Sequence, residues 1–198
     1  MRVDAVVLAA GLSSRMKQNK LMLPFMGTTI IRHIVLTILE SNVEKVIIVT
    51  GNNEDLIRSE LEDLNVIFVY NEHYKTGQST SVCLGVETSY DSDGIMFFMG
   101  DQPMIKSRII DNMIEIFKEM DETILVPYCK DKRGNPVLFN KKWYIELLKV
   151  TGDYGGRFII ENNLNDVKKY YLEDELFFTD VDTIEKYNNL LNTIKITG

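Results

Sequence analysis

Cysteine is scarce in this chain: Cys83 and Cys129 are the only two among 198 residues, with no CxxC and no metal-ligand spacing. A disulfide framework and a cysteine-built metal centre are therefore excluded as organising features, and both thiols are expected to be free, small, buried apolar groups. Histidine is equally sparse, with His33 on an apolar helical stripe and His73 in a polar loop, and neither has a partner at catalytic spacing. Positive charge is in deficit, 22 Lys and Arg against 29 Asp and Glu, for a net charge of −7. A broad nucleic-acid-binding face is thereby excluded, and any anionic ligand must meet locally concentrated cations. The apolar run at residues 5–10 is far too short to cross a bilayer, and no charged-then-apolar leader opens the sequence. A cytoplasmic protein without membrane attachment is expected. Internal repeats, low-complexity runs and linker-like segments are missing too, so one domain over residues 1–198 is expected.

What is present is an alternation of apolar runs and helical stripes. Strands are expected at residues 5–8, 46–49, 66–70, 95–99, 124–126 and 137–139, with short candidates at 167–172 and 176–178. The first helix is capped by Thr28 or Thr29 and carries Ile30, Ile31, Ile34, Val35, Ile38 and Leu39 as one stripe. Further helices are expected at residues 53–64 with Leu56, Ile57, Leu61 and Leu64 inward, from about 79, over 105–117, 141–150 and 158–162, and from Asp182 onward. Strand, helix, strand, helix at this spacing implies βαβ crossovers and a mostly parallel sheet.

Ligands of such sheets bind beyond the carboxyl ends of the strands, near a reversal of strand order. Three loops with suitable chemistry sit there: residues 9–20, 71–81 and 100–103. In the first, small residues Ala9, Ala10 and Gly11 let backbone N–H groups approach a ligand closely, and Arg15 and Lys20 add fixed positive charge. That is the composition of a triphosphate cradle, although GxxxxGK[ST] and GxGxxG are both lacking. Asp101 directly follows a strand, where a carboxylate serves either a turn or a Mg²⁺ ion bridging phosphates. Asp182 with Glu185 reads as a capping box, in which each satisfies an orphan N–H. Ser79 or Thr80 can cap the helix that follows residue 78.

The run Leu8-Ala9-Ala10-Gly11-x-Ser13-x-Arg15-Met16-x-x-x-Lys20 resembles the signature of the Rossmann-like nucleotidyltransferases, and within them the molybdenum cofactor cytidylyl- and guanylyltransferases. This chain has Lys17 where the family usually has Gly after the Met. Gly100-Asp101-Gln102-Pro103 resembles the family's metal-binding motif, and Asp180-Val181-Asp182-Thr183 its closing Asp-x-Asp-Thr segment. Gly134-Asn135-Pro136 and Gly152-Asp153-x-Gly155-Gly156-Arg157 also match, with Gly156 where the family often has Ala.

The resemblance implies an α/β fold of the nucleotide-diphospho-sugar transferase type, a three-layer α/β/α Rossmann-like sandwich with a mostly parallel sheet. It implies transfer of CMP from CTP to the phosphate of molybdopterin, with release of pyrophosphate. Lys20 and Arg15 are the expected catalytic cations. Leu8, Ala9, Ala10, Gly11, Ser13, Asn71, Ser79, Ser81 and Asp101 are expected to join them around the nucleotide. Asp101 and Asp182 are the expected ligands of Mg²⁺, with Mn²⁺ the alternative, and Gln102, Asn135 and Asp153 belong to the second substrate. Leu-Ala-Ala-Gly resembles the CTP-using members, whereas GTP users usually read Leu-Ala-Gly-Gly. Guanylyl transfer, and transfer to a sugar phosphate or methylerythritol phosphate, share the opening motif. A chaperone delivering the cofactor to a molybdenum hydroxylase client is the reading from another class.

Overall fold

The structure is a computed structural model and describes residues 1–12, 16 and 19–197. Strand β1 (Val3–Leu8) is followed by a 3₁₀ turn at Lys20–Met22 and a small ribbon of β2 (Pro24–Phe25) and β3 (Thr28–Thr29). Then come α1 (Ile30–Leu39), β4 (Val46–Thr50), α2 (Glu54–Leu61), β5 (Ile67–Tyr70), α3 (Gln78–Thr88), β6 (Gly94–Met99) and α4 (Ser107–Glu119). The last third holds β7 (Ile124–Cys129), β8 (Lys132–Arg133), β9 (Val137–Asn140), α5 (Tyr144–Leu147), α6 (Arg157–Asn162), β10 (Val167–Tyr171) and α7 (Ile184–Thr197).

The main sheet runs β10-β7-β9-β6-β1-β4-β5, with β8 attached to β7. Its strands are parallel except β9, which lies antiparallel between β6 and β7, and β8, antiparallel to β7. Side chains alternate across it. Val3, Ala5 and Val7 of β1 join one core with residues of α1, α2, α4 and α7, while Val6 joins a second core with α3, α5 and α6. Two helical layers thus enclose a mostly parallel sheet: the expected three-layer α/β/α architecture.

Local signals explain most boundaries. Thr29 caps α1, its hydroxyl accepting from the Arg32 N–H at 3.2 Å, and every expected apolar position of that helix from Ile30 to Ile38 is buried. Where the structure departs from expectation, physical reasons are visible. The helix expected over 53–64 is shorter, and Leu56 is 52% exposed because Ile57 and Leu61, one turn apart, define the buried face. Residues 141–150 form a 3₁₀ turn (Lys141–Trp143) and then the short α5, because Asn140 caps the Lys142 N–H and starts a tighter turn. The expected strand at 176–178 is a 3₁₀ turn, Glu175–Phe178, started by the Asp174 carboxylate accepting from the Leu176 N–H at 3.0 Å. Cys129 is buried, but Cys83 is only half-buried, its thiol donating to the Leu147 and Leu148 carbonyls. Among the described residues no helix is long and apolar enough to cross a membrane.

Asp4 lies within β1 and is 1% exposed. Burial pushes its carboxyl pKa above the ordinary value, and Lys45 and the Ser89 hydroxyl offset this only in part. A carboxyl with a raised folded-state pKa favours the native state while protonated; that contribution is intact below the unfolded pKa and is lost as pH rises through the folded one. Asp4→Asn is therefore expected to raise the melting temperature at pH 7 and to change it little near pH 3. Equal shifts at both pH values, or a fall at pH 7, would contradict this account.

Candidate active site

The order of strands reverses at β1: the chain moves from β1 to β4 and β5 on one side, then returns to β6 on the other. Leu8 and Met99, the last residues of β1 and β6, are in register, and the Gly100 N–H donates to the Leu8 carbonyl at 3.1 Å. The loops leaving these strands therefore start side by side, at the crevice where open α/β sheets bind ligands.

Lys20 is aimed into this crevice by its neighbours. Asn19 caps the 3₁₀ turn, its side chain accepting from the Leu21 N–H at 3.1 Å, and Leu21 is buried. Asp101 lies one residue beyond the end of β6, after Gly100, and its carbonyl accepts from the Val181 N–H at 2.9 Å. Val181 is fully buried, so the extended segment around it is fixed beside Asp101. Asp182, distant in sequence, arrives at the same point. The Lys20 ammonium donates to Asp101 Oδ2 at 2.5 Å and to Asp182 Oδ1 at 2.8 Å. The helix-cap role weighed for Asp182 is filled by Thr183, whose hydroxyl accepts from the Lys186 N–H at 3.2 Å. Lys186 pairs with Asp180 at 2.6 Å and stands 4.0 Å from Asp182.

Burial pushes the Asp101 carboxyl pKa up, with Lys20 opposing and Asp182 and Asp180 adding to the rise. Asp182 goes the other way: its hydrogen bond with Asp180 and the Lys20 ammonium hold it well below the usual carboxylate range. Burial works against the Lys20 charge, but the two carboxylates outweigh it and keep the ammonium pKa above its ordinary value. The site is a fixed cation between two acidic groups in a partly dry crevice.

Around it opens a cavity of about 390 Å³, lined by Leu8, Ala9, Ala10, Gly11, Lys20, Ser81, Asp101 and Asp153 among others. That size suits a small organic ligand. Gly11 is part of the lining, and among the described residues a Cβ added there would meet nothing within 4 Å. Gln78, part of the polar run at residues 77–81, also lines it, as do Tyr74, Lys75 and Met99, which were not singled out in the sequence.

Not every expected contact faces the cavity. Asn71 and Ser79 are both buried, and neither lines it. The Asn71 amide donates to Thr80 at 2.8 Å and Ser81 at 2.9 Å and its oxygen accepts from the His73 N–H, making it a brace between β5 and α3. Neither Ser79 nor Thr80 caps α3; Gly77 stands at the cap without a side chain. Gly77 is needed there, with φ at +119° and a would-be Cβ 2.5 Å from the Gly152 backbone. The Gly152 carbonyl accepts from the Ser79 N–H at 3.0 Å, and Asp153 from the Gln78 N–H at 3.3 Å, docking residues 152–156 on the start of α3.

That docked loop also lines a second cavity of about 300 Å³, together with Asn135, Arg133, Arg157 and Phe139 among others. Leu8, Gln78, Met99 and Asp153 line both cavities. Gln102 lines neither, and its buried Oε1 has no hydrogen-bond partner among the described residues. Ser13 and Arg15 lie outside the described residues.

The residues present suit a Mg²⁺ or Mn²⁺ ion. Asp101 and Asp182 already converge on one cation, the Lys20 ammonium, as a stand-in. Among the described residues no group of three or more His, Cys, Asp or Glu side chains could hold a metal by itself. A magnesium site made from one or two carboxylates, waters and substrate phosphate oxygens needs no such group.

The model of the MobA-like NTP transferase domain matches residues 5–167. The chain belongs to this family. Its fold is shared with a nucleotidyl transferase from Methanothermobacter thermautotroptrophicus at a TM-score of 0.86, 21% identity, and 100% and 99% coverage of the two chains. It is shared too with Rv0371c from Mycobacterium tuberculosis H37Rv in complex with manganese, at a TM-score of 0.81, 23% identity, and coverage of 98% and 100%. Among curated proteins, the bifunctional protein GlmU of Buchnera aphidicola is 24% identical over 98% of this chain but 46% of its own length. The chain thus spans less than half of that relative. A further solved neighbour is a cytidylyltransferase from Leptospira borgpetersenii, at a TM-score of 0.75, 20% identity, and coverage of 100% and 95%.

Proposed function

We propose that this chain, as one domain over residues 1–198, transfers CMP from CTP to the phosphate of a molybdopterin-type acceptor and releases pyrophosphate. The observation that carries the reading is Lys20 held between Asp101 and Asp182 at the β1–β6 crevice, with Gly11 in the wall of the same cavity. The acceptor phosphate oxygen attacks the α-phosphorus, and pyrophosphate leaves on the opposite side. A phosphate monoester is largely dianionic at neutral pH, so no general base is needed, in keeping with a cavity that neither His33 nor His73 lines. The chain's work is positioning and charge stabilisation.

Backbone N–H groups around residues 10–13 orient the triphosphate, Arg15 grips its β- and γ-phosphates, and Lys20 neutralises charge building on the α-phosphate and leaving group. Asp101 and Asp182 would hold a divalent ion, Mg²⁺ or Mn²⁺, which supplies charge neutralisation between phosphates when bound. The 300 Å³ cavity, with Asn135 and Asp153 in its wall, is assigned to the acceptor, and a molybdenum hydroxylase is the proposed client of the product.

Base choice follows Ala10. Its methyl and the Tyr74 side chain close against Gly51, where an added Cβ would fall 2.9 Å from Ala10 Cβ and 2.6 Å from Tyr74 Cβ. On this reading, a side chain at position 10 crowds a purine and leaves room for a pyrimidine. The test is thermal stabilisation by CTP, GTP, ATP and UTP with Mg²⁺, since selective binding raises the melting temperature by mass action. CTP is expected to give the largest shift, and Ala10→Gly is expected to move the preference toward GTP. A larger GTP shift in the unaltered protein would overturn the base assignment; an unchanged preference in Ala10→Gly would overturn its steric cause.

A further inference from the structure

We propose that Lys20 is a resident cation holding the two-carboxylate position, so that a divalent metal and a nucleoside triphosphate can enter only as a coupled pair. The inference builds on the site assignment above. Both carboxylates spend an oxygen on the same ammonium, Asp101 at 2.5 Å and Asp182 at 2.8 Å. These are charge-assisted hydrogen bonds, the strong kind. A metal ion arriving alone must break both and then sit beside a displaced positive charge in a crevice where Asp101 is only 13% exposed.

A triphosphate changes that balance. The Lys20 backbone is pinned by the Asn19 cap and by buried Leu21, but its four-carbon stem lines the same cavity as Ala9, Ala10 and Gly11. The ammonium can therefore turn from the carboxylates to phosphate oxygens without moving the chain. Nucleotide draws the lysine off, and the carboxylates are released to the metal. The coupling is reciprocal by thermodynamic necessity: whatever factor nucleotide adds to metal affinity, metal adds to nucleotide affinity. The metal-free site meanwhile keeps its part-buried carboxylates compensated.

The experiment measures Mn²⁺ binding without nucleotide, by the electron paramagnetic resonance signal of the free ion. The unaltered protein is compared with Lys20→Met, Lys20→Gln and Lys186→Met. Lys186→Met removes the same unit of charge from Asp180, 2.6 Å away, without vacating the position between Asp101 and Asp182. Vacating Lys20 is expected to tighten Mn²⁺ by about tenfold or more, within the usual range of site-to-site coupling. Lys186→Met is expected to tighten it by no more than about twofold, as a screened charge near the surface does. Equal or weaker Mn²⁺ binding in the Lys20 variants, or an equal gain in Lys186→Met, overturns the proposal.

Should the Lys20 variants fail to fold, lysine-ammonium NMR reads the exchange in the unaltered protein. A slowly exchanging Nζ resonance is expected to survive millimolar Mg²⁺ alone and to be lost or shifted on adding CTP with Mg²⁺. Its displacement by Mg²⁺ alone, or its persistence after nucleotide has bound, overturns the proposal. A protein that binds no nucleotide sinks the functional reading, while the Mn²⁺ comparison still decides the role of Lys20.

Discussion

Lys20→Ala is expected to lower turnover by about 10²–10³-fold, the cost of removing one preorganised charge aimed at a transition state. Two consequences separate at this residue. The first is chemical: among the described residues the cations in the cavity wall are Lys20 and Lys75, and Lys186, 4.0 Å from Asp182, is not part of that wall. Charge on the transferred phosphoryl group then builds without its counterion. The second is structural: the partly buried Asp101 loses its direct cation, a loss of about 1.5–3 kcal/mol for a charged hydrogen bond. Circular dichroism should show an intact fold with a lowered melting temperature, and the steady-state rate should fall far more than that loss explains. Near-normal turnover would remove Lys20 from the mechanism.

Asp101→Asn is expected to cost a comparable factor, about 10²-fold or more, by removing charge at the point where electrostatic stabilisation is concentrated. Shape is nearly conserved by this change, and the Val181 N–H to Asp101 carbonyl bond that aligns the acidic segment is a backbone contact that survives it. The expected signature is therefore loss of turnover and of divalent-ion dependence with little change in melting temperature. Dependence on Mg²⁺ identical to that of the unaltered protein would show that the metal is held elsewhere.

Much of the fold was legible because burial follows period. The α1 stripe at Ile30, Ile31, Ile34, Val35 and Ile38 is read directly from spacing, and all five side chains are buried. The apolar run of β6 points to a strand covered on both faces, and it is one. The antiparallel placement of β9 between β6 and β7 was not legible, because a four-residue apolar strand carries no record of its partners or direction. Phe177 and Phe178 misled for a related reason: a two-ring run has no period, and one capping carboxylate at Asp174 decides its geometry.

Legibility of the site divides the same way. Strand-end chemistry around Ala9–Gly11 and at Asp101 follows from position in a parallel sheet. The meeting of Lys20 with Asp182, 162 residues apart, depends on how Val181 seats its segment, and came from family resemblance rather than from spacing. Met99 and Tyr74 passed unnoticed because a lone methionine or tyrosine at an element end carries no pattern. Ser79 and Asn71 show the converse, polar residues in a promising loop whose hydrogen bonds hold the loop itself.

The most direct test of the account follows the α-phosphorus. CTP labelled at that atom is incubated with the protein, Mg²⁺ and molybdopterin phosphate, and both label and pyrophosphate are traced. The account predicts that label passes into the acceptor with one pyrophosphate released per transfer. Label transferred to a sugar phosphate or methylerythritol phosphate but not to molybdopterin would contradict the acceptor assignment. Tight binding of CTP and acceptor with all label left in CTP would contradict catalysis itself and make the protein a carrier.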